Sequence, residues 1–598
     1  MALRSLPRAG RGFATSLLLL ILASAVLPTA LIAATGKLVG AVPLVTAKGI
    51  HSIPGQRALG ALTIVAILYV ASQALGPLRE LVVQGMGRRF DHMLTNDVLE
   101  SLMTPAGIGH LEDRAIADLA GSALDVGRMA PLQFFPSTVA DVAAARLQGL
   151  GAALLLGGFR WWAPLLLFPS WVATRVWVKR EVAGLLKSAE TSTTALRRAN
   201  YFSDLAMEPG SSKEIRIFDM APWVVGRFRE HWLDGMRDLW RQRAGHKFAM
   251  AQAFTMLLGT HAFIFYLIAK AATSGEIGVG AVALYTGSVL GMAGLGYTGD
   301  ADWRLAQIAS ALPKIKNLGS LVEKRRIDPS GHLDAGTVPK QAIKFEHLGF
   351  AYPGRAKVFD GLDLTIPAGK SIAIVGVNGA GKTTLIKLLT RLYEPDNGRI
   401  TVDGVDLGQI DPTAWRRKVA VILQDFVRYE LPVIDNVGFG ALSHSKDREA
   451  LNRAAQKAGA IDLIKGLPNG WDTVLTRQLE GGVDLSGGEW QRIALARALF
   501  AVEGGASVLV LDEPTASLDV RAEAELFERF LDITQGLTTI LISHRFSTVR
   551  RADHICVLSG GTLKEEGSHH ALMDKGGLYA EMFSMQASRF EERHEEGA

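Results

Sequence analysis

Gly376-Val-Asn-Gly-Ala-Gly-Lys-Thr383 is a glycine-rich loop between a short apolar stretch, Ser371–Val375, and a run with helical spacing, Thr384–Arg391. Glycines let successive backbone N–H groups turn toward an anion, and the N-terminus of the following helix adds partial positive charge. Lys382 supplies a point charge for the β- and γ-phosphates of a nucleotide, and the Thr383 hydroxyl suits Mg²⁺. The order of strand, loop and helix therefore predicts a phosphate-binding loop in an α/β domain.

Three further apolar stretches end in polar or charged side chains. They are Val419–Leu423 before Gln424, Val508–Leu511 before Asp512 and Glu513, and Thr539–Ser543 before His544. Ligands of open parallel sheets bind at the carboxyl ends of the strands, so these side chains are expected to lie beside the loop. Asp512 can hold magnesium through water, and Glu513 can polarise the water that attacks the γ-phosphate. This arrangement predicts ATP hydrolysis.

A second helix start in the same region is suited to anions. Leu485-Ser-Gly-Gly-Glu-Trp-Gln-Arg492 places Ser486 at a helix N-cap, and Gly487 and Gly488 leave the backbone N–H groups uncovered. One ATP needs only one phosphate loop, so the second helix end requires another explanation.

The first half of the chain has the composition of a membrane protein. The 598 residues are 48% hydrophobic with a formal net charge of +5, and a single cysteine, Cys556, excludes an internal disulfide framework and a multi-cysteine metal site. Apolar stretches near the roughly 20 residues that cross a bilayer predict six transmembrane helices. These lie at about 14–34, 58–80, 136–159, 161–183, 247–272 and 277–300. The predicted domains are a membrane domain at 1–325, a linker at 326–340 and a nucleotide-binding domain at 341–590.

The loops predict the orientation. Lys and Arg are concentrated between the second and third helices and between the fourth and fifth, which places these segments, the N-terminus and the nucleotide-binding domain in the cytoplasm of a plasma-membrane protein. Two alternatives remain: the first stretch could be a signal peptide, and the basic segments could lie on the lipid surface instead of extending the helices. If the membrane helices extend into the cytoplasm, short turns are expected near 109–116 and 215–224. The six spans exclude a soluble nucleic-acid-binding protein.

Charged residues in or near the predicted spans are candidates for a transport path. They are Asp141 and Arg146 at the third helix, and Asp300, Asp302 and Arg304 at the sixth. Charges inside lipid are functional by default, but these could equally sit below the bilayer, paired with one another. The sixth helix is also rich in glycine, which permits close helix contact or local unwinding.

The motifs from Tyr352 to His544 resemble the nucleotide-binding domain of an ABC transporter. The loop matches the Walker A motif, Gln424 the Q-loop, Leu485–Glu489 the signature, Val508–Asp512 Walker B, Ser517–Asp519 the D-loop and His544 the switch histidine. The resemblance implies ATP-binding residues Tyr352, Gly376, Val377, Asn378, Gly379, Ala380, Gly381, Lys382, Thr383, Thr384, Gln424 and Asp512. It also implies catalytic roles for Glu513, His544 and Gln424, and magnesium ligation by Thr383, Gln424 and Asp512.

The resemblance also explains the second helix end. Two nucleotide-binding domains of this family close head to tail, so that Ser486, Gly487, Gly488 and Asp519 of one chain complete the ATP site of its partner. A six-helix domain fused to one such domain resembles a half-transporter of the exporter fold. Glu489 departs from the usual signature glutamine. Because both Glu513 and His544 are present, the resemblance favours a homodimer with two working sites over a heterodimer with a related half-transporter.

The expected function is ATP-driven transport of an unidentified substrate, with ATP binding and hydrolysis switching a membrane cavity between inward-facing and outward-facing states. An importer built on the exporter fold and an ATP-gated channel or regulator are the alternatives.

Overall fold

A computed structural model describes residues 10–113, 115–117, 119–121, 132–191, 193–208, 210–244, 247–296, 299–324, 331–336, 338–513, 534–543 and 546–595. Two predicted site residues, Asp519 and His544, lie outside these ranges. The chain divides into two units by its internal contacts. One unit comprises Met1–Leu102 with Arg114–Leu321, and the other comprises Met103–Asp113 with Val322–Ala598.

The first unit is helical. Its helices are α1 (Arg11–Lys48), α2 (Ile53–Met103), α3 (Phe135–Gly157), α4 (Ala163–Thr191), α5 (Thr193–Met207), α6 (Ser212–Ile217), α7 (Ala221–Ala244), α8 (Lys247–Thr273), α9 (Val279–Gly291) and α10 (Asp300–Lys324). In the described part of the chain, five stretches are long and apolar enough to cross a membrane: Arg11–Lys48, Ile53–Met103, Leu132–Gly157, Ala251–Thr273 and Val279–Glu323. Ala163–Val178 is a shorter apolar helix, so the count of six spans remains a prediction.

Glycines bring α1 and α9 into close contact. A Cβ atom on Gly280 would lie 2.5 Å from the carbonyl oxygen of Gly36 and 2.6 Å from the Cα of Gly40. Lipid provides no hydrophobic force between helices, so association inside a membrane depends on such close backbone packing. Larger side chains at these positions would separate the two helices.

The predicted span at 277–300 is not one uninterrupted helix. Helix α9 ends at Gly291, one 3₁₀ turn covers Met292–Leu295, and α10 begins at Asp300. The guanidinium of Arg146 donates hydrogen bonds to the carbonyl oxygens of Gly294, at 2.5 Å, and Gly296. A helix that ends in an apolar environment leaves carbonyl groups without partners, and Arg146 satisfies two of them.

The five charged residues that the sequence marks as candidates for a transport path all lie in ion pairs. Arg146 forms an ion pair with Asp302 at 2.9 Å, with side chains that are 17% and 14% exposed. Asp141 pairs with Arg79 at 2.7 Å, and Asp300 lies 3.8 Å from Arg304. Pairing lowers the cost of placing charge in a bilayer or at its edge.

The second unit contains two sheets. An antiparallel sheet has the order β2-β1-β4-β5, and a six-stranded sheet has the order β10-β9-β3-β8-β7-β6. The strands are β1 (Ala342–Ala351), β2 (Lys357–Pro367), β3 (Ser371–Gly376), β4 (Asn397–Val402), β5 (Val405–Asp406), β6 (Val419–Ile422), β7 (Val508–Asp512), β8 (Thr538–Ile542), β9 (His554–Ser559) and β10 (Thr562–Gly567). Apolar helices followed by an α/β domain confirm the predicted fold class.

Helices cover both faces of the six-stranded sheet. They are α11 (Lys382–Leu389), α12 (Pro412–Arg416), α13 (Val433–Gly438), α14 (Arg448–Lys457), α15 (Ile461–Gly466), α16 (Gly487–Glu503), α17 (Phe546–Val549), α18 (His569–Lys575) and α19 (Leu578–Glu595). Along β7, Val508 and Val510 pack toward the antiparallel sheet, whereas Leu509 and Leu511 pack toward α16. This burial on both faces explains why the parallel strands are continuous apolar runs in the sequence.

The segment Met103–Asp113 belongs to the second unit although it follows α2. The Ile108 N–H donates to the carbonyl oxygen of Leu392 at 3.0 Å, and Glu112 pairs with Lys387 at 3.1 Å and accepts a hydrogen bond from Tyr393. These bonds lower the pKa of Glu112 against the opposing effect of burial, which is the largest single influence. The predicted turn near 109–116 falls partly in this segment.

Candidate functional site

Strand β3 lies between β8 and β9 and leads into the glycine-rich loop. Strands β6, β7, β8 and β3 are successive parallel neighbours, so their carboxyl ends lie along one edge of the sheet. The sheet thus brings Gln424, Asp512 and Glu513 to the loop, as the strand pattern predicts. A Cβ on Gly376 would lie 2.3 Å from the carbonyl oxygen of Leu558, so the loop leaves the sheet through a contact that only glycine allows.

The turn into α11 depends on two glycines with positive φ. Gly379 has φ +83° and Gly381, the N-cap of α11, has φ +96°. A Cβ on Gly381 would lie 2.7 Å from the ring of Phe359, whereas a Cβ on Gly379 would meet no heavy atom within 4 Å. Both positions disfavour side chains by backbone conformation, and only Gly381 also lacks space.

Alanine substitutions separate these two effects. We expect Gly379→Ala to lower the free energy of unfolding by on the order of 1–2 kcal/mol through backbone strain alone. Gly381→Ala should lower the free energy of unfolding by roughly 1–3 kcal/mol more, because the new methyl group also displaces Phe359. The thermal midpoint of the full chain without nucleotide measures the difference. Equal destabilisation by both substitutions would contradict the packing argument.

Lys382 lies folded back over the loop. Its ammonium donates hydrogen bonds to the carbonyl oxygens of Gly376 at 2.9 Å and Val377 at 3.3 Å, and the residue is 9% exposed. Burial lowers the pKa of Lys382, and the nearby charges of Glu513 and Asp512 oppose that shift. The Lys382 side-chain nitrogen can exchange these two carbonyl oxygens for the oxygen atoms of an anion.

Thr383 and Asp512 meet across the site. The Thr383 hydroxyl donates to Asp512 Oδ2 at 3.2 Å, and Asp512 is 2% exposed. Burial is the main cause of a raised pKa at Asp512; the hydrogen bond from Thr383 opposes it, and the charge of Glu513 adds to it. A buried carboxylate and a hydroxyl are hard oxygen donors, the type that Mg²⁺ selects, so these residues fit that ion.

Glu513 occupies a strained position at the end of β7. Its φ is +48°, which is uncommon for a residue with a side chain, and its backbone N–H donates to the carbonyl oxygen of Ile542 at 2.9 Å. Left-handed backbone costs such a residue roughly 1–2 kcal/mol. Strain of this kind persists where the surroundings hold it and is concentrated at functional sites.

A cavity of about 660 Å³ joins these groups. It is lined by Val358, Asn378, Gly379, Gly381, Lys382, Thr383, Thr384, Gln424, Asp512 and Glu513. Val358 is absent from the sequence-based prediction because it lies on the antiparallel sheet, and no motif marks it. Four predicted ATP-binding residues do not line the cavity: Tyr352, Gly376, Val377 and Ala380.

Three of these four residues belong to the loop itself, and Tyr352 contacts the start of α11. Gly376 and Val377 supply the carbonyl groups that Lys382 contacts, and Ala380 is buried in the core between the sheets. The Tyr352 hydroxyl lies 3.2 Å from Thr384 Oγ1, and its ring packs edge-on against Phe350 and Tyr393.

Ser486 caps α16 as predicted, and Glu489 completes the cap. The Ser486 backbone N–H and hydroxyl each donate to Glu489 Oε2 at 2.7 Å. These hydrogen bonds, led by the one from the hydroxyl, lower the pKa of Glu489. A glutamate three residues after a serine cap is the standard partner in a capping box, so the departure from glutamine keeps the helix start intact. Ser486, Gly487 and Gly488 do not line the cavity of their own chain.

Known proteins with similar sequences bind or use ATP, in agreement with the arrangement of this site. Residues 359–516 match the ABC transporter family. The chain is 37% identical over 288 residues, 47% of each chain, to an ATP-dependent lipid A-core flippase of Methylococcus capsulatus. It is 32% identical over 390 residues to a flippase of the same name from Burkholderia pseudomallei, covering 63% of this chain and 62% of that one. The match thus spans about half the length of the first relative.

A structural neighbour covers nearly the whole chain. A bacterial Atm1-family ABC exporter with ATP bound aligns with a TM-score of 0.74 and 24% identity, over 96% of this chain and 98% of that one. At this identity the likeness shows the fold. Together with the apolar helices, it identifies an integral membrane protein. Residues 359–516 of the chain therefore match the ABC transporter family, and the whole chain has the fold of this exporter.

Proposed function

We propose that this chain is one half of an ATP-driven exporter and that two copies hydrolyse two ATP molecules in composite sites. The observation that carries the proposal is the cavity in which Lys382, Asp512 and Glu513 converge, in a chain that also contains apolar helices long enough to cross a membrane. The exporter fold supports transport, and the flippase relatives support the proposed direction.

In the proposed site, the loop and Lys382 hold the phosphates of ATP. The ammonium of Lys382 exchanges the carbonyl oxygens of Gly376 and Val377 for phosphate oxygens, and the N-terminus of α11 adds its partial charge. Tyr352 stacks on the adenine. Glu513 accepts a proton from the water that attacks the γ-phosphate, and its position at the end of β7 holds the carboxylate in place. Gln424 and His544 contact the same phosphate end.

Magnesium would be held by Thr383, Asp512 and Gln424. Their oxygen atoms suit the ion, and Thr383 and Asp512 already lie within 3.2 Å of each other. When bound, the ion neutralises charge that develops on the phosphate oxygens. The buried Asp512 carboxyl carries a raised pKa, and the ion would favour its charged form.

The partner chain completes each site in this proposal. Ser486, Gly487 and Gly488 start α16 with backbone N–H groups available to an anion, yet they do not line the cavity of their own chain. A second copy in head-to-tail arrangement would place them, with Asp519, at the γ-phosphate held by Lys382. Closing two such sites draws the two nucleotide-binding domains together, and the membrane helices respond by opening outward. The N-terminus and the nucleotide-binding domains then face the cytoplasm, and the plasma membrane is the proposed location.

Transport itself is the test of this proposal. The full chain is reconstituted in liposomes, and ATPase activity is measured against a panel of lipids, peptides, drugs and metal chelates, with lipids first because of the flippase relatives. We expect one class to stimulate hydrolysis and to move across the bilayer only with ATP. Ion conductance without movement of any substrate would favour an ATP-gated channel instead, and ATP-dependent uptake toward the nucleotide-binding side would favour an importer.

A further inference from the structure

Three side chains with metal-binding atoms meet on the β9–β10 hairpin, on the second unit but outside the cavity that holds ATP in the proposed function. They are His554, Cys556 and Glu566. His554 and Cys556 are two residues apart on β9 and so project from the same face of the sheet. Glu566 on β10 pairs directly with Cys556 in the antiparallel register, which places its side chain on that face too.

The distances suit a shared ion. One ligand atom from each of the three residues lies within 4.8 Å of the other two, and His554 Nε2 is 3.3 Å from Glu566 Oε2. In a tetrahedral zinc site with standard bond lengths, a nitrogen and an oxygen ligand are roughly 3.3–3.4 Å apart, and a sulfur ligand is roughly 3.6 Å from either. The imidazole and the carboxylate already have that separation, and the sulfur needs a shift of about 1 Å.

We propose that His554, Cys556 and Glu566 form a binding site for a borderline divalent cation of the Zn²⁺ or Co²⁺ type. The mixture of sulfur, imidazole nitrogen and one carboxylate selects such ions over Mg²⁺, which requires oxygen ligands. Three protein ligands leave a fourth position for water, the arrangement of an open site. This site does not depend on the proposed transport function.

The exposure of the three groups determines how an ion reaches the site. The side chain of Glu566 is 54% exposed and that of His554 is 32% exposed, so an ion reaches them from solvent, whereas Cys556 is fully buried beneath them. When the sulfur coordinates the ion, the thiol proton leaves to solvent.

The competing interpretation is a surface ion pair above a buried thiol. A protonated His554 paired with Glu566 accounts for the 3.3 Å contact without any ion. In that interpretation the Cys556 sulfur binds no ion. Binding of a metal ion by this sulfur therefore distinguishes the two interpretations.

Cobalt(II) titration of the full chain in detergent, without nucleotide, tests the site. Cys556 is the only cysteine in the sequence, so a thiolate-to-cobalt charge-transfer band in the near ultraviolet can come from this residue alone. We expect saturable growth of this band with one cobalt per chain, and its replacement by zinc. Cobalt should also protect Cys556 from alkylation in partly denaturing conditions.

Variants at the exposed ligands give the matched comparison. His554→Gln and Glu566→Gln change side chains that reach solvent, so they should retain the fold, which the thermal midpoint and ATP binding verify. Each should weaken cobalt binding roughly tenfold or more. His347→Gln is the control, because His347 is 86% exposed and pairs with Asp363 on the antiparallel sheet. It should leave the titration unchanged.

Two outcomes would overturn the proposal. The first is a folded wild-type chain that shows no thiolate band at millimolar cobalt. The second is a band with the same midpoint in wild type, His554→Gln and Glu566→Gln. Neither outcome bears on ATP hydrolysis, so failure of this site and failure of the transport function are distinguishable.

Discussion

Replacing Glu513 with glutamine is expected to lower ATP hydrolysis by roughly 10²–10⁴-fold, the usual contribution of a positioned general base. The amide cannot accept the proton of the attacking water, but it keeps the length of the side chain. The phosphate contacts proposed for Lys382 and the hydrogen bond from Thr383 to Asp512 involve other atoms. ATP affinity should therefore remain close to that of the wild type, and the closed two-chain state should accumulate because hydrolysis no longer reopens it.

Steady-state phosphate release and nucleotide binding by the purified full chain measure the two effects separately. Glu449→Gln is a matched control: this exposed glutamate lies in the first turn of α14 and does not line the cavity. It should hydrolyse ATP at the wild-type rate. A Glu513→Gln chain that also retained the wild-type rate would show that another group takes the proton, and the role proposed for Glu513 would have to be abandoned.

Mixing two inactive chains is expected to restore hydrolysis if the sites are shared between copies. A Lys382→Ala chain cannot hold phosphate in its own loop, and a Ser486→Arg chain cannot cap the phosphate of its partner. In a mixed dimer, one interface combines an intact Lys382 with an intact Ser486, and the other combines both substitutions. Dimers purified through two different tags should then have up to about half of the wild-type rate if the two sites act independently.

The same two substitutions can be redistributed as a control. A chain that carries both Lys382→Ala and Ser486→Arg, paired with a wild-type chain, has no intact head-to-tail interface and should be inactive. If each chain instead formed a complete site by itself, this second pairing would retain about half of the activity and the first would have none. The two pairings thus distinguish the head-to-tail arrangement from separate sites by opposite results.

The parallel sheet and the phosphate loop were predictable because their determinants are local. Strands β3, β6 and β7 are continuous apolar runs, each of which leads into residues of the cavity, and glycines mark the turn into α11. Topology then brings Gln424 and Asp512 together without further information, because neighbouring parallel strands end at one edge. The spacing of the motifs along the chain was therefore sufficient to predict that these side chains lie at one edge of the sheet.

Other features depend on contacts that spacing does not encode. Val358 enters the cavity from the antiparallel sheet, and nothing in its neighbours along the chain indicates that. The interruption between Gly291 and Asp300 could be suspected from glycine content, but the interaction of Arg146 with the carbonyl groups there joins residues that are 148 positions apart. The group of His554, Cys556 and Glu566 likewise depends on the pairing of β9 with β10, which the spacing of these residues along the chain does not encode.

The segment Met103–Asp113 belongs to the second unit but is synthesised long before the rest of that unit. Its partners are separated from it by 275 residues at Lys387, 281 at Tyr393 and 310 at Arg416. At translation rates of about 5–20 residues per second, the 281-residue interval between Glu112 and Tyr393 lasts roughly 15–55 seconds. During that time the segment has been made, and the surface that receives it has not. The second unit therefore cannot be completed as a contiguous stretch leaving the ribosome. A fragment that begins at the predicted linker would lack the segment Met103–Asp113 of this unit.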